Sequence, residues 1–182
     1  MGSARLTGRL SEVEMKRKVT VEGEGLRFSA AHMTTIGDKA EPLHGHNYRV
    51  TVSLEGELTA DAWVFDFVAL RRLARRLCAE LDHRFLLQRE SRFLEAQENS
   101  DEWEITIAGR RYVFPKADVA ALPIDNVTAE RLAEWLCGRL KDELRAAGAK
   151  NLTSISVGVE EAPGQAAWHS EEFGQLPGYG RT

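Results

Sequence analysis

Three histidines, His32, His44 and His46, are the side chains of this chain best placed to do chemistry, and their spacing is that of a metal site. They occur in the segments FSAAH and HGHNYRVTV. Side chains alternate along a strand, so His44 and His46 project from one face, with Gly45 keeping bulk out of the space between them. His32 closes the apolar run 26–31 and reaches the pair if the two segments form a hairpin. Three imidazoles with one open position is the pattern of a catalytic zinc ion, because structural zinc sites close with four protein ligands. Such an ion acts as a Lewis acid on a bound oxygen and lets a neighbouring base move protons at neutral pH. An HxH pair by itself is also a common accident of polar strand ends, and the third histidine is what favours the metal.

The elements that must hold these residues can be read from periodicity. Residues 19–31 and 48–58 read as strands, the second from the alternation Tyr48, Val50, Val52, Leu54, with a loop containing Thr34, Thr35, Gly37, Asp38 and Pro42 between them. After Asp66, a natural N-cap, the period changes: Phe67, Leu70, Leu73, Ala74, Leu77 and Leu81 form a helical stripe with arginines opposite. A second helix over 128–147 carries Leu132, Leu136, Leu140 and Leu144 and stops at Gly148. Ile155, Val157 and Val159 alternate in a third main strand, and 166–173 supplies a fourth. An extra hairpin turns at Ala108-Gly109 within 104–114. Two strands, two helices and two strands make an α+β domain, expected to be single over residues 1–182.

Composition narrows the function classes. The 182 residues are 43% hydrophobic and 29% charged, which is ordinary for a soluble globular protein. A net charge of -4 gives no reason to expect nucleic acid or an anionic membrane as partner. Arg71, Arg72, Arg75 and Arg76 are the local exception, read as a solvated helix face or a subunit contact. No apolar run is long enough to span a bilayer and the polar start, residues 1–18, is expected to fray. Cys78 and Cys137 fall inside the helical patterns and read as small core residues rather than a disulfide framework, and the expected location is the cytoplasm.

Six segments in order, FSAAH, HGHNY, VFDFVAL, ELDHRFL, NVTAERLAEW and VGVEEAP, resemble the 6-pyruvoyl-tetrahydropterin synthase family, which includes the 6-carboxy-tetrahydropterin synthases. The resemblance runs from about Val19 to Trp168. It implies the tunnelling fold: an antiparallel sheet with two helices on one face, in the order ββααββ, joined between protomers into an oligomeric barrel, typically a homohexamer. It also implies that His32, His44 and His46 hold zinc near a subunit boundary, and that the substrate is 7,8-dihydroneopterin triphosphate. Asp82 and His83 match the family's acid-base pair. They stand where the first helix ends, and an Asp–His couple fixes the imidazole tautomer. Glu161 matches the carboxylate that anchors the pterin ring. Alternation with Val157 and Val159 favours it over Glu160. Thr128 matches a threonine that helps hold the ring, although an N-cap role would explain it equally.

The chain departs from the family pattern in two places. The pyruvoyl and carboxy enzymes carry a cysteine four residues before the first histidine of HGH, and here that residue is Ala40. Glu41 follows it, as in a subclass that has glutamate for cysteine and cleaves the substrate's side chain to give 6-hydroxymethyl-7,8-dihydropterin, a folate precursor. A cysteine introduced at Ala40 is expected to stand where the thiol enzymes have theirs. The second departure is length, with 91–121 read as an inserted hairpin and loop. The expected activity is therefore a zinc-dependent lyase with Glu41 as base. The alternatives are pyruvoyl- or carboxy-type synthesis using Glu41, or a non-catalytic pterin-binding protein.

Overall fold

The computed structural model describes residues 17–37 and 39–174, so the start expected to fray lies outside the described residues up to residue 16, while Arg17 and Lys18 are in a strand. Along the chain, β1 (Arg17–Val21), β2 (Arg27–His32), β3 (Thr35–Ile36), β4 (Lys39–Ala40) and β5 (His44–Gly56) precede α1 (Phe67–Leu81). Then come β6 (Arg84–Gln88), β7 (Leu94–Glu98), β8 (Glu102–Ile107), β9 (Arg110–Pro115), β10 (Val119–Leu122), α2 (Ala129–Ala146), β11 (Leu152–Ala162) and β12 (Gln165–Glu172). No helix among the described residues is long and apolar enough to cross a membrane.

The main sheet has the order β10-β6-β2-β5-β11-β12, with β1 also paired to β5. The strand expected over 19–31 is two strands, β1 and β2, lying end to end along one edge of β5. Gly23 and Gly25, at φ +89° and +81°, make the turn between them, a conformation that costs residues with a Cβ. The sheet is mixed rather than antiparallel, because β6 runs parallel to both β2 and β10. Neither β6 nor β10 was legible as a strand. In β6 the residues Phe85, Leu86, Leu87 and Gln88 are all buried, so no alternation marks it.

Both helices pack on one face of the sheet. Tyr48, Val50, Val52 and Leu54 of β5 and Ile155, Val157 and Val159 of β11 share a core with Leu70, Leu77 and Leu81 of α1 and Leu132, Leu136 and Leu140 of α2. The Asp66 carboxylate accepts from the Val68 N–H at 2.9 Å, capping α1 as its sequence requires. Phe67, counted in the apolar stripe, stays exposed in the first turn. Cys78 and Cys137 are buried in the helices, and burial pushes both thiols up to about 12.

The segment 91–121 is more than a hairpin and loop. β7, β8 and β9 form an antiparallel meander, turning at Ala108 and Gly109 with φ +49° and +73°. It has its own apolar cluster of Leu94, Trp103, Ile105 and Ile107 with Met33, Phe85 and Leu87 of the main body. β6 is thus covered by the helices through Leu86 and by the meander through Phe85 and Leu87.

Candidate metal centre

The register of β2 against β5 builds the histidine cluster. His32 lies directly opposite His44, and Ala30 opposite His46. A side chain at Gly45 would put its Cβ 2.7 Å from the Ala30 carbonyl oxygen, so the HxH spacer must be glycine for the strands to pair. The His32 and His44 rings are 4.5 Å apart, His44 and His46 5.0 Å, and His32 and His46 5.2 Å. One nitrogen from each ring lies within 4.8 Å of the others.

Hydrogen bonds decide which nitrogens are free. His32 Nδ1 lies 2.9 Å from the Val127 carbonyl and His44 Nδ1 lies 2.7 Å from the Pro42 carbonyl. A carbonyl only accepts, so both rings carry their proton on Nδ1 and keep an Nε2 lone pair. Burial lowers the His32 pKa below its ordinary value, against the opposing effect of the Val127 hydrogen bond. His32 is therefore held neutral, the form that ligates. His46 Nε2 is buried and has no hydrogen-bond partner among the described residues. Oriented lone pairs, outer nitrogens tied to carbonyls and one orphaned buried nitrogen are what a divalent metal satisfies, so the three residues fit such an ion.

Glu161 enters the same space from β11. Its Oε1 is 3.3 Å from His46 Nε2 and 3.5 Å from His32 Nε2, and accepts from the Tyr48 hydroxyl at 3.2 Å. The β11–β12 register shifts between Glu160 and Ala162, and a bulge of this kind re-aims a side chain. Glu160 is turned elsewhere, to Arg49 and the Gly164 N–H. Tyr48 is buried, and burial followed by the Glu161 charge raises its pKa, keeping the phenol protonated as a donor. Tyr48 went unassigned in the sequence, although it continues the parity of His44 and His46 along β5.

Glu41 and Thr128 complete this side. The Glu41 carboxylate is 3.9 Å from His44 Nε2 and accepts from the Thr34 hydroxyl, while its backbone N–H bonds the Thr34 carbonyl at 2.9 Å. Thr128 caps α2 by accepting from the Arg131 N–H at 3.3 Å, and also borders the cavity. That cavity, about 530 Å³, is lined by Thr34, Glu41, His44, His46, Thr128 and Glu161, among others.

Asp82 and His83 do not share it. The Asp82 carboxylate accepts from the Ser29 N–H at 2.8 Å, the main reason its pKa is lowered, and lies 3.0 Å from His83 Nδ1. His83 adopts φ +56° and its N–H bonds the Ser29 carbonyl at 2.7 Å, so the couple is fastened to β2. The imidazole is 82% exposed and faces a groove with Ser29 and Asn47, whose side chains bond at 2.6 Å on the sheet face opposite the histidine cluster. Within one chain the expected acid-base pair is separated from the metal centre by the sheet itself.

Residues 19–172 match the family model described as 6-pyruvoyl tetrahydropterin synthase. The dihydroneopterin monophosphate aldolase of Pyrococcus furiosus is 41% identical, over 81% of this chain and 87% of its own length. A Methanocaldococcus jannaschii protein provisionally named a 6-carboxy-5,6,7,8-tetrahydropterin synthase is 33% identical over 79% of this chain and 88% of its own. The 6-pyruvoyltetrahydropterin synthase of Plasmodium vivax, solved as a variant with alanine in place of a glutamate termed a catalytic residue, superposes with a TM-score of 0.81 at 31% identity, covering 87% of this chain and 99% of its own.

Proposed function

The chain belongs to the 6-pyruvoyl tetrahydropterin synthase family, and within it we propose a zinc-dependent lyase that cleaves the side chain of phosphorylated 7,8-dihydroneopterin to give 6-hydroxymethyl-7,8-dihydropterin. The observation that carries this reading is Glu41, a carboxylate 3.9 Å from His44 Nε2 on the rim of the histidine cluster. No thiol lines the cavity it faces. The aldolase name of the Pyrococcus furiosus relative and the catalytic glutamate of the Plasmodium vivax enzyme support it. His32, His44 and His46 would hold the zinc, which supplies Lewis acidity toward the side-chain hydroxyls.

The remaining roles fall to this chain's own residues. Glu41 takes the proton of the side chain's second hydroxyl. As the bond between the first and second side-chain carbons breaks, its electron pair passes into the pterin ring. A proton returned to the first carbon leaves the hydroxymethyl group, and the second carbon departs as an aldehyde carrying the phosphates. Thr34 orients Glu41 through its hydroxyl. Glu161, supported by Tyr48, meets the ring's amino group and N–H, two parallel donors that match a carboxylate. Asp82 and His83 reach a reacting side chain only if a second copy of the chain presents them across a subunit boundary, so the site is completed in an oligomer.

Glu161→Gln is expected to weaken pterin binding about tenfold or more and to leave the zinc content unchanged, because the amide sets a donor against the ring's donors. Titration with a pterin beside elemental analysis checks this, and an unaltered affinity would place the anchor elsewhere. The reaction itself is tested by incubating the protein with dihydroneopterin monophosphate and triphosphate and separating the products by chromatography. The relative named as a carboxypterin synthase makes 6-carboxytetrahydropterin the product to look for as the alternative.

A further inference from the structure

The substrate proposed above is an anion with several negative charges at one end, and among the described residues the cavity around the histidines offers that end no lysine or arginine. Among the described residues its lining includes Glu41, Glu130 and Glu161. A groove at the β2 edge, between the sheet and α1, has the opposite character. It measures about 830 Å³ and runs from His83 past Arg27, Arg49 and Arg75. The three arginines come from three elements, β2, β5 and α1.

Their placement is unfavourable without a ligand. Arg27 and Arg49 are directly opposite each other in the β2–β5 register, and like charges so placed destabilise a sheet. Glu160 relieves Arg49 with an ion pair at 3.3 Å, whereas Arg27 and Arg75 have no carboxylate partner among the described residues. Arg75 lies across the turn between β1 and β2, where Gly25 makes room: a Cβ there would be 2.6 Å from Arg75 Nε. Its neighbour Arg71 donates to the Glu22 and Glu24 carbonyls at 3.2 Å and holds that turn in place. In the arginine run of α1, read from the sequence as a solvated helix face or a subunit contact, Arg71 is therefore engaged within the chain. Of the groove's two acids, Asp82 is already bound by the Ser29 N–H and His83, and Glu24 is exposed.

We propose that Arg27, Arg49 and Arg75 form the subsite for the phosphates of the substrate. The inference rests on the pterin reading above and extends it. The phosphates are attached one carbon beyond the bond that breaks, so a protomer that presents His83 to that bond also presents the groove beside it to the phosphates. His83 and the three arginines line one and the same groove. One protomer then supplies the histidines, Glu41 and Glu161, and its neighbour supplies Asp82, His83 and the phosphate cradle. Guanidinium groups suit this task because their planar forks grip phosphate oxygens two at a time.

The test uses the full chain, inorganic tripolyphosphate as probe, and calorimetric titration of wild type, the double variant Arg27→Gln/Arg75→Gln, and Arg72→Gln as a charge control outside the groove. Wild type and Arg72→Gln are expected to bind tripolyphosphate alike, and the double variant about 100-fold more weakly, at roughly tenfold per charged hydrogen-bonding group. A double variant that binds as wild type does, or a wild type that binds none, overturns the subsite. In turnover, the double variant should raise KM for phosphorylated dihydroneopterin by a similar factor and leave KM for unphosphorylated dihydroneopterin unchanged. Equal rises for both would also overturn it. If the pterin reading itself fails and no pterin is converted, tripolyphosphate binding still decides whether the arginines hold phosphates.

Discussion

Glu41→Ala is expected to reduce formation of 6-hydroxymethyl-7,8-dihydropterin by about 10²–10⁴ in rate, the usual loss when a positioned general base is removed. Zinc content and pterin affinity should stay near wild type, because Glu41 stands 3.9 Å from His44 Nε2 and bonds Thr34 rather than closing the histidine cluster. Chromatography of products from wild type and variant measures the effect, and full hydroxymethyl product from the variant would sink the assignment. The neighbouring position sharpens the test. Ala40 packs its side chain against the meander's apolar cluster, away from the cavity that Glu41 faces. A cysteine at Ala40 would therefore enter that cluster, and the expectation that it stands in for the family's thiol is corrected: adding Ala40→Cys to Glu41→Ala should restore neither the lost product nor a pyruvoyl- or carboxy-type one. Product formation by the double variant would show that residue 40 can reach the site.

The second large effect is on the metal. Wild type is expected to carry one zinc per protomer, and His46→Ala to lose it and the activity together. Loss of an outer-shell partner alone costs roughly 10–100-fold in metal affinity, and His46 contributes a buried lone pair to the cluster itself. Elemental analysis of both proteins measures the outcome, and full zinc in the variant would remove the metal centre as argued. Burial that holds His32 neutral also has a direction in pH. As pH falls, protonation of His32 competes with the metal later than it would for an exposed histidine, so this ligand resists acid loss.

Much of the fold and part of the site were legible in the sequence because they depend on local periodicity. The stripes of α1 and α2, the caps at Asp66 and Thr128, and the turn at Ala108-Gly109 are properties of residues within a few positions of one another. Parity along β5 likewise put His44 and His46 on one face, and parity along β11 separated Glu161 from Glu160. The six ordered segments that carried the family resemblance are of the same kind, and residues 19–172 match that family's model.

What required the tertiary structure is everything settled by which surfaces meet. β6 is covered by α1 and α2 on one side and by the meander on the other, so burial erased the alternation that marks a strand. Asp82 and His83 follow α1 directly, yet the bonds to Ser29 fasten them to the sheet face opposite the histidines, a separation that no spacing along the chain expresses. Arg27, Arg49 and Arg75 lie far apart in sequence and come together only because β2 pairs with β5 and α1 lies over the turn that Gly25 permits. Periodicity fixes the direction of a side chain relative to its own strand or helix, whereas what stands opposite that side chain depends on long-range pairing between elements.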